Sequence, residues 1–308
     1  MNASAPRPVR KDRGLAAYAA FVVGFMVLVI LEGAVVRATG SGNGCGQHWP
    51  LCNGQVLPHH PRLATVIEYT HRSLTGICTT LVAVLLGWTF VAKPAKHPAR
   101  SAAVWTGVLL LTEGALGALL VLGGYVGRNA SDTRVLVQSV HFTNTMLLLA
   151  AMTLTWWRLR KPAAPLAASV RVRPLVWLTL AVTMLTGATG SVAALADTLF
   201  PSPSLRVGLV QDFDPSAPLL IHMRWMHPAA AALSLVCALL LASRLRGMPY
   251  ARWIAGLALL QLVLGLADIA LLTPTTMQVL HLLGADLFWI AMVATANEAL
   301  RRETVPAR

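Results

Sequence analysis

The chain has 308 residues, of which 56% are hydrophobic and only 12% charged, with a mean hydropathy of +0.63. That balance excludes an ordinary soluble domain and marks a polytopic membrane protein, because long apolar runs recur from end to end. The net charge of +13 does not indicate a nucleic-acid partner, since the Lys and Arg residues cluster in short connections between the apolar runs.

Taken in order, the apolar runs predict eight transmembrane helices, near residues 15–36, 64–92, 101–124, 135–157, 174–196, 217–243, 252–272 and 276–299. The first follows Arg7, Arg10, Lys11 and Arg13 without a small-residue cleavage site, so it reads as a retained span. Basic residues concentrate at both ends of the chain and in the connections near 93–100, 158–173 and 244–252. The positive-inside rule then places both termini in the cytoplasm of a cell-membrane protein. It turns the loops 37–63, 125–134 and 197–216 outward.

The segment 161–173 is basic and rich in Pro and Ala, and reads as a cytoplasmic linker between two halves, 1–160 and 174–308. Internal similarity supports two halves. Span 3 carries Glu113-Gly-Ala-Leu-Gly117 and span 7 carries Gln261-Leu-Val-Leu-Gly265. Span 4 carries Gln138-Ser-Val-His141 and span 8 carries Gln278-Val-Leu-His281. The expected fold is therefore all-α, two pseudo-repeated four-helix bundles in the membrane.

Outer loop 37–63 holds Cys45-Gly-Gln-His-Trp-Pro-Leu-Cys52. Of the four cysteines only this pair lies in a loop, on the face where oxidation is permitted, so Cys45 and Cys52 are the disulfide candidates. Cys78 and Cys237 fall within spans. Trp49, Pro50 and His59-His60-Pro61 suggest an ordered cap. His48, His59 and His60 are read as surface histidines rather than as metal ligands.

Within span 2 lies Glu68-Tyr-Thr-His71-Arg72. A charge held centrally in a membrane helix costs roughly 2.5–3.5 kcal/mol, so an ionisable cluster there calls for a function. Glu68 and His71 stand about 60° apart on one helical face. His71, His141, His227 and His281 occupy spans 2, 4, 6 and 8, all entered from outside, at a shared depth of about 8–15 Å. Zinc would want further Cys, Asp or Glu ligands. A haem takes one imidazole on each face and buries an apolar ring, so one bis-histidine haem per half fits the count.

Arg37, Arg62, Arg72 and Arg128 lie near the outer rim, where propionates would point. Span 6 offers both His222 and His227, five residues apart and on different faces. His227 better matches the depth of the others. His222 sits near the outer end, where it would either hydrogen-bond a propionate or face water. Pro228 predicts a loosened backbone one turn before it. Glu68 has no counterpart in the second half, where Met223 or Arg224 stands. Of the other acids in the spans, Glu113 and Asp268 read as interhelical hydrogen-bonding groups.

The run Gly33-Ala-Val-Val-Arg-Ala-Thr-Gly-Ser-Gly42, with Cys45, Trp49-Pro50, Cys52 and Gly54, resembles the haem A synthase family. Glu68-x-x-His71-Arg72 and the two Gln-x-x-His motifs match its pattern as well. The resemblance implies haem O as substrate, one ring methyl being oxidised to a formyl by successive hydroxylations to give haem A for terminal oxidases. It implies that His71 and His141 bind the substrate haem, that His227 and His281 bind a haem b cofactor, and that Glu68 is the catalytic carboxylate. Where the family often has His-Arg in span 6, this chain has His227-Pro228.

Two other classes compete with a haem-dependent membrane oxidoreductase. A two-haem b-type cytochrome that only transfers electrons explains the histidines but leaves Glu68 idle. A haem carrier would need ligation loose enough for release. As partners the sequence implies the lipid bilayer and, through the resemblance, the haem O synthase; it names no electron donor and leaves a homo-oligomer open.

Overall fold

The computed structural model describes residues 9–160, 172–246, 248 and 250–301. The proposed linker segment 161–171 lies outside the described residues, as do several basic residues at the two ends. The helices are α1 (Val9–Ala38), α2 (Leu63–Ala92), α3 (Pro98–Leu122), α4 (Asp132–Leu159), α5 (Arg173–Leu199), α6 (Leu205–Phe213), α7 (Leu219–His222), α8 (Met226–Arg244), α9 (Ala251–Ala270) and α10 (Thr275–Arg301). Apart from one β-bridge, Cys52 to Gln55, the described residues contain no strand.

Among the described residues eight spans are long and apolar enough to cross a membrane, with α7 and α8 together making the sixth. An all-helical solution follows from the solvent: in hydrocarbon every backbone N–H and C=O must be satisfied within its own segment. The helix ends follow local chemistry. Ser131 caps α4 by accepting from the Arg134 backbone N–H at 3.3 Å. Pro98 and Pro174 stand in the first turns of α3 and α5, where a missing N–H costs nothing.

Helices α1 to α4 close into a ring, each packed on the next and α4 returning onto α1. A second ring runs α5, α8, α9, α10 and back to α5. The rings meet where α1 and α4 face α5 and α10. Lipid supplies no hydrophobic drive between helices, so close packing and small residues must hold them. The second ring shows this in its buried Ala238, Ala251, Ala258, Ala296 and Ala299, around Leu241, Ile254 and Met292. Between the rings, the Trp289 indole N–H donates to the Met146 carbonyl at 2.8 Å. Towards the C-terminal ends of α4 and α10, Trp157 donates to Glu298 at 2.8 Å.

Two details differ from the sequence expectation. The sixth span is not one helix: it breaks at Met223–Trp225, ahead of His227. Pro228 therefore falls in the first turn of α8 and does not kink a helix interior. The outer loop 197–216 contains a further helix, α6, capped by Ser204 accepting from Val207 N–H at 3.3 Å. At nine residues it is too short, and too polar at Arg206, Gln211 and Asp212, to register as an apolar run.

Candidate functional site

Four glycines each meet one of the four histidines within the bundle. Gly33 on α1, Gly117 on α3, Gly190 on α5 and Gly265 on α9 each face the imidazole on the next span. A Cβ on Gly33 would stand 3.0 Å from Cε1 of His71, and one on Gly190 2.9 Å from Cε1 of His227. A Cβ on Gly265 would stand 3.2 Å from Cε1 of His281, whereas one on Gly117 would lie 3.9 Å from Cε1 of His141. Three of the imidazoles, those of His71, His227 and His281, thus lie close against a neighbouring backbone, which restricts their rotamers.

The histidines come in twos. The rings of His227 and His281 are edge-to-face with centroids 6.1 Å apart. That separation brings the two imidazoles, from α8 and α10, into one site. His71 and His141 are close enough to interact electrostatically across the other ring of helices. Nδ1 of His227 lies 3.1 Å from the Thr186 carbonyl. A carbonyl only accepts, so that nitrogen carries the proton and Nε2 keeps the lone pair. Nδ1 of His71, His141 and His281 is buried with no hydrogen-bond partner. Half-buried imidazoles held in twos, with a lone pair assigned to Nε2 of His227, fit a haem that would take one histidine on each face. Among the described residues no three His, Cys, Asp or Glu side chains gather as a metal site.

Glu68 is 3% exposed and sits under the outer cap. Its Oε2 accepts from the Cys45 backbone N–H at 2.8 Å. Its Oε1 accepts from Arg72 Nε at 3.1 Å and from Arg72 Nη2. Arg72 Nη1 donates to the carbonyls of His48 and, at 2.6 Å, Leu51. Cys45 and Cys52 form a buried disulfide that closes this loop. Gly44 makes the contact reachable, since its backbone lies against the Ala64 carbonyl where a Cβ would collide. The cap, the ion pair and the carboxylate are one unit, in which three donors fix the position of the acidic side chain.

The remaining candidates are placed as follows. Arg37, on α1, reaches into the second ring: Nη1 donates to the Ala194 carbonyl and to Thr198 Oγ1, each at 2.7 Å, and Nη2 to Gln278 Oε1 at 2.8 Å. Arg37 and Arg72 therefore already hold protein acceptors. His222, on α7, has Nδ1 2.9 Å from the Asp212 carbonyl, away from the helix that carries His227. Arg224 stands out in the sequence only as the counterpart of Glu68. It binds Asp212 through Nε at 2.7 Å and Asp197 through Nη1 at 3.2 Å, and so ties α6 to the bundle. In the same outer region, the Asp214 carboxyl is held below its usual range by backbone and side-chain hydrogen bonds from Ser216.

What sequence reasoning misses is the contact of each of these glycines with a histidine; Gly33 is visible in the signature run, and Gly190 is not singled out at all. Gly117 and Gly265 are visible as a repeat, yet nothing local says that each faces a histidine on the following span.

A family model described as cytochrome oxidase assembly protein matches residues 16–293, from α1 into α10. The chain is 43% identical over 296 residues to a protein named protoheme IX farnesyltransferase from Thermus thermophilus, covering 94% of this chain and 49% of that protein. It is 36% identical over 141 residues to the heme A synthase of Exiguobacterium sibiricum, covering 46% of this chain and 45% of that protein. Over 129 residues it is 39% identical to the heme A synthase of Shouchella clausii, covering 42% of this chain and 40% of that protein. The chain spans about half the length of the curated relatives it matches. With the family model running across all eight spans, the chain belongs to the cytochrome oxidase assembly protein family, the family of the haem A synthases.

Proposed function

We propose that this chain is a haem A synthase, a membrane oxidoreductase that converts one ring methyl of haem O to a formyl by successive hydroxylations. The observation that carries the reading is the pair of histidine twos, each imidazole facing a glycine, with a buried carboxylate one turn before the histidine of the even-numbered span, Glu68 before His71, that has no counterpart before His227. In this reading His71 and His141 hold the substrate haem in the N-terminal half, 1–160. His227 and His281 hold haem b in the C-terminal half, 174–308. Haem b, when bound, supplies one-electron chemistry.

The chain's own residues supply position and proton control. The glycine contacts aim the imidazoles before any ligand arrives. Glu68 holds or moves a proton beside the reacting edge of the substrate. Arg72 and the Cys45 N–H set the position of its carboxylate, while the disulfide-closed loop keeps water from the outer side. Arg37, Arg72 and His222 are proposed propionate contacts, with hydrogen-bond capacity shared between propionates and the protein acceptors described above. In this reading both termini lie in the cytoplasm of the cell membrane and the haem sites towards the outer face, a reading supported by the eight apolar helices and by the basic connections between them.

A farnesyltransferase-named relative that this chain matches over about half its length supports coupling to the enzyme that farnesylates haem. That enzyme would make the substrate and pass it on.

The haem content of protein purified from cells that make haem O tests the reading. Haem b together with haem O or haem A supports it. Haem b alone identifies a cytochrome, and substoichiometric exchangeable haem identifies a carrier.

A further inference from the structure

The two halves present different groups behind their equivalent histidines. Glu113 stands four residues before Gly117, and Gln261 four before Gly265. Both glycines lie against the imidazole of the next span, His141 and His281 respectively. Glu113 Oε1 lies 3.5 Å from Nδ1 of His141, a nitrogen that is buried and has no hydrogen-bond partner. A shift of a few tenths of an ångström, within reach of a ring drawn towards a metal, would close an N–H···O bond.

The carboxylate is held for this role. Asn144 Nδ2 donates to Glu113 Oε2 at 2.6 Å, and Thr145 Oγ1 donates to Oε1. Asn144 is fixed in turn: it donates to the Leu109 carbonyl at 3.0 Å, and its Oδ1 accepts from Thr112 at 2.8 Å. Asn144 is three residues beyond His141. Three residues beyond His281 stands Gly284, and a Cβ there would collide with Gln261 Nε2. The C-terminal half has thus exchanged a carboxylate and its amide clamp for a neutral amide and a space to hold it. Gln261 Nε2 is buried without a partner.

Resting on the haem reading of His141 and His281, we propose that Glu113 is a positioning residue. Its carboxylate accepts a hydrogen bond from the Nδ1–H of His141, which fixes the tautomer that would offer Nε2 to the substrate iron and makes that imidazole the stronger donor. Gln261 is its uncharged counterpart behind His281. A carboxylate on the far nitrogen raises ligand basicity, whereas an amide does so far less. The substrate iron is therefore held electron-rich and harder to reduce, and the haem b iron is left easier to reduce. A single electron entering the protein then rests on haem b in preference to the substrate iron.

The test is a reductive titration of the purified, haem-loaded protein, following each haem by its visible and electron paramagnetic resonance spectra. Glu113→Gln should raise the midpoint potential of the haem ligated by His141 and leave the other unmoved. Glu113→Asp, which keeps the charge, should restore part of the shift. Gln261→Glu should lower the potential of the haem ligated by His281. If Glu113 only fastens α3 to α4, Glu113→Gln changes thermal stability and neither potential, and that outcome overturns the proposal. A shift in the wrong haem overturns it too. His141→Ala separates the layers: if its haem spectra are unchanged, the ligand reading itself fails. If they change while Glu113→Gln moves no potential, only the role of Glu113 fails.

Discussion

At the scale of single residues, the geometry grades the four glycines. Adding a methyl at Gly190 or Gly33 brings carbon to about 3 Å from an imidazole carbon, closer than packed atoms sit. Gly190→Ala should therefore displace His227, with loss of most low-spin haem b from membranes that still contain the protein. Gly117→Ala, at 3.9 Å, should leave the spectrum of the N-terminal haem unchanged. Equal effects from the two variants would show that the glycines matter for helix packing and not for the rings.

The two histidines of the sixth span separate in the same assay. His227→Ala should lose the haem that His222→Ala retains, because His222 is turned to the Asp212 carbonyl. Glu68→Gln keeps shape and an acceptor for the Cys45 N–H, but loses the ion pair with Arg72 and the titratable proton. It should retain haem in both halves while product formation falls by about 10²–10⁴, the usual contribution of an acid–base group. Near-normal product would reduce Glu68 to an anchor for the cap.

At the scale of elements, the cap and α6 are the parts that tertiary contacts decide. With Cys45 and Cys52 bonded, thiol labelling of the denatured, unreduced protein should modify Cys78 and Cys237 alone. Labelling of all four would show no such bond in the protein. Arg224→Ala removes the cation shared by Asp197 and Asp212, and so should release α6 and speed its hydrogen exchange relative to α5. The spans are legible in the sequence because apolar length alone specifies a membrane helix. The cysteine pair is legible because the other two cysteines fall inside those spans. Helix α6 is not, since it is short and held by an arginine from another segment. The break at Met223–Trp225 is hidden by Pro228, which suggests a kink in a continuous helix where a new helix begins.

At the scale of the molecule, two helix rings share the interface of α1 and α4 with α5 and α10. The glycine–histidine contacts recur in both rings, while the polar partners differ: Glu68 and Glu113 in one, Gln261 and no matching carboxylate before His227 in the other. That asymmetry can be read from the residues, but its direction cannot. The same is true of Arg37, which sits in the signature of the first half and directs its donors to the second. Such a crossing becomes visible only when the rings are packed. Its consequence is that Arg37→Ala should disturb the haem b spectrum of the C-terminal half, where a purely local role would disturb only the N-terminal one.

The central claim is conversion of haem O to haem A. The most direct measurement is chromatography with mass detection of haems extracted from cells that make haem O, lack haem A and express this chain. The expected result is a new haem with the mass of the formyl product, absent from cells carrying the empty vector and sharply reduced with Glu68→Gln. Haem O and haem b alone, from membranes in which the chain is present with both haem sites filled, would contradict it.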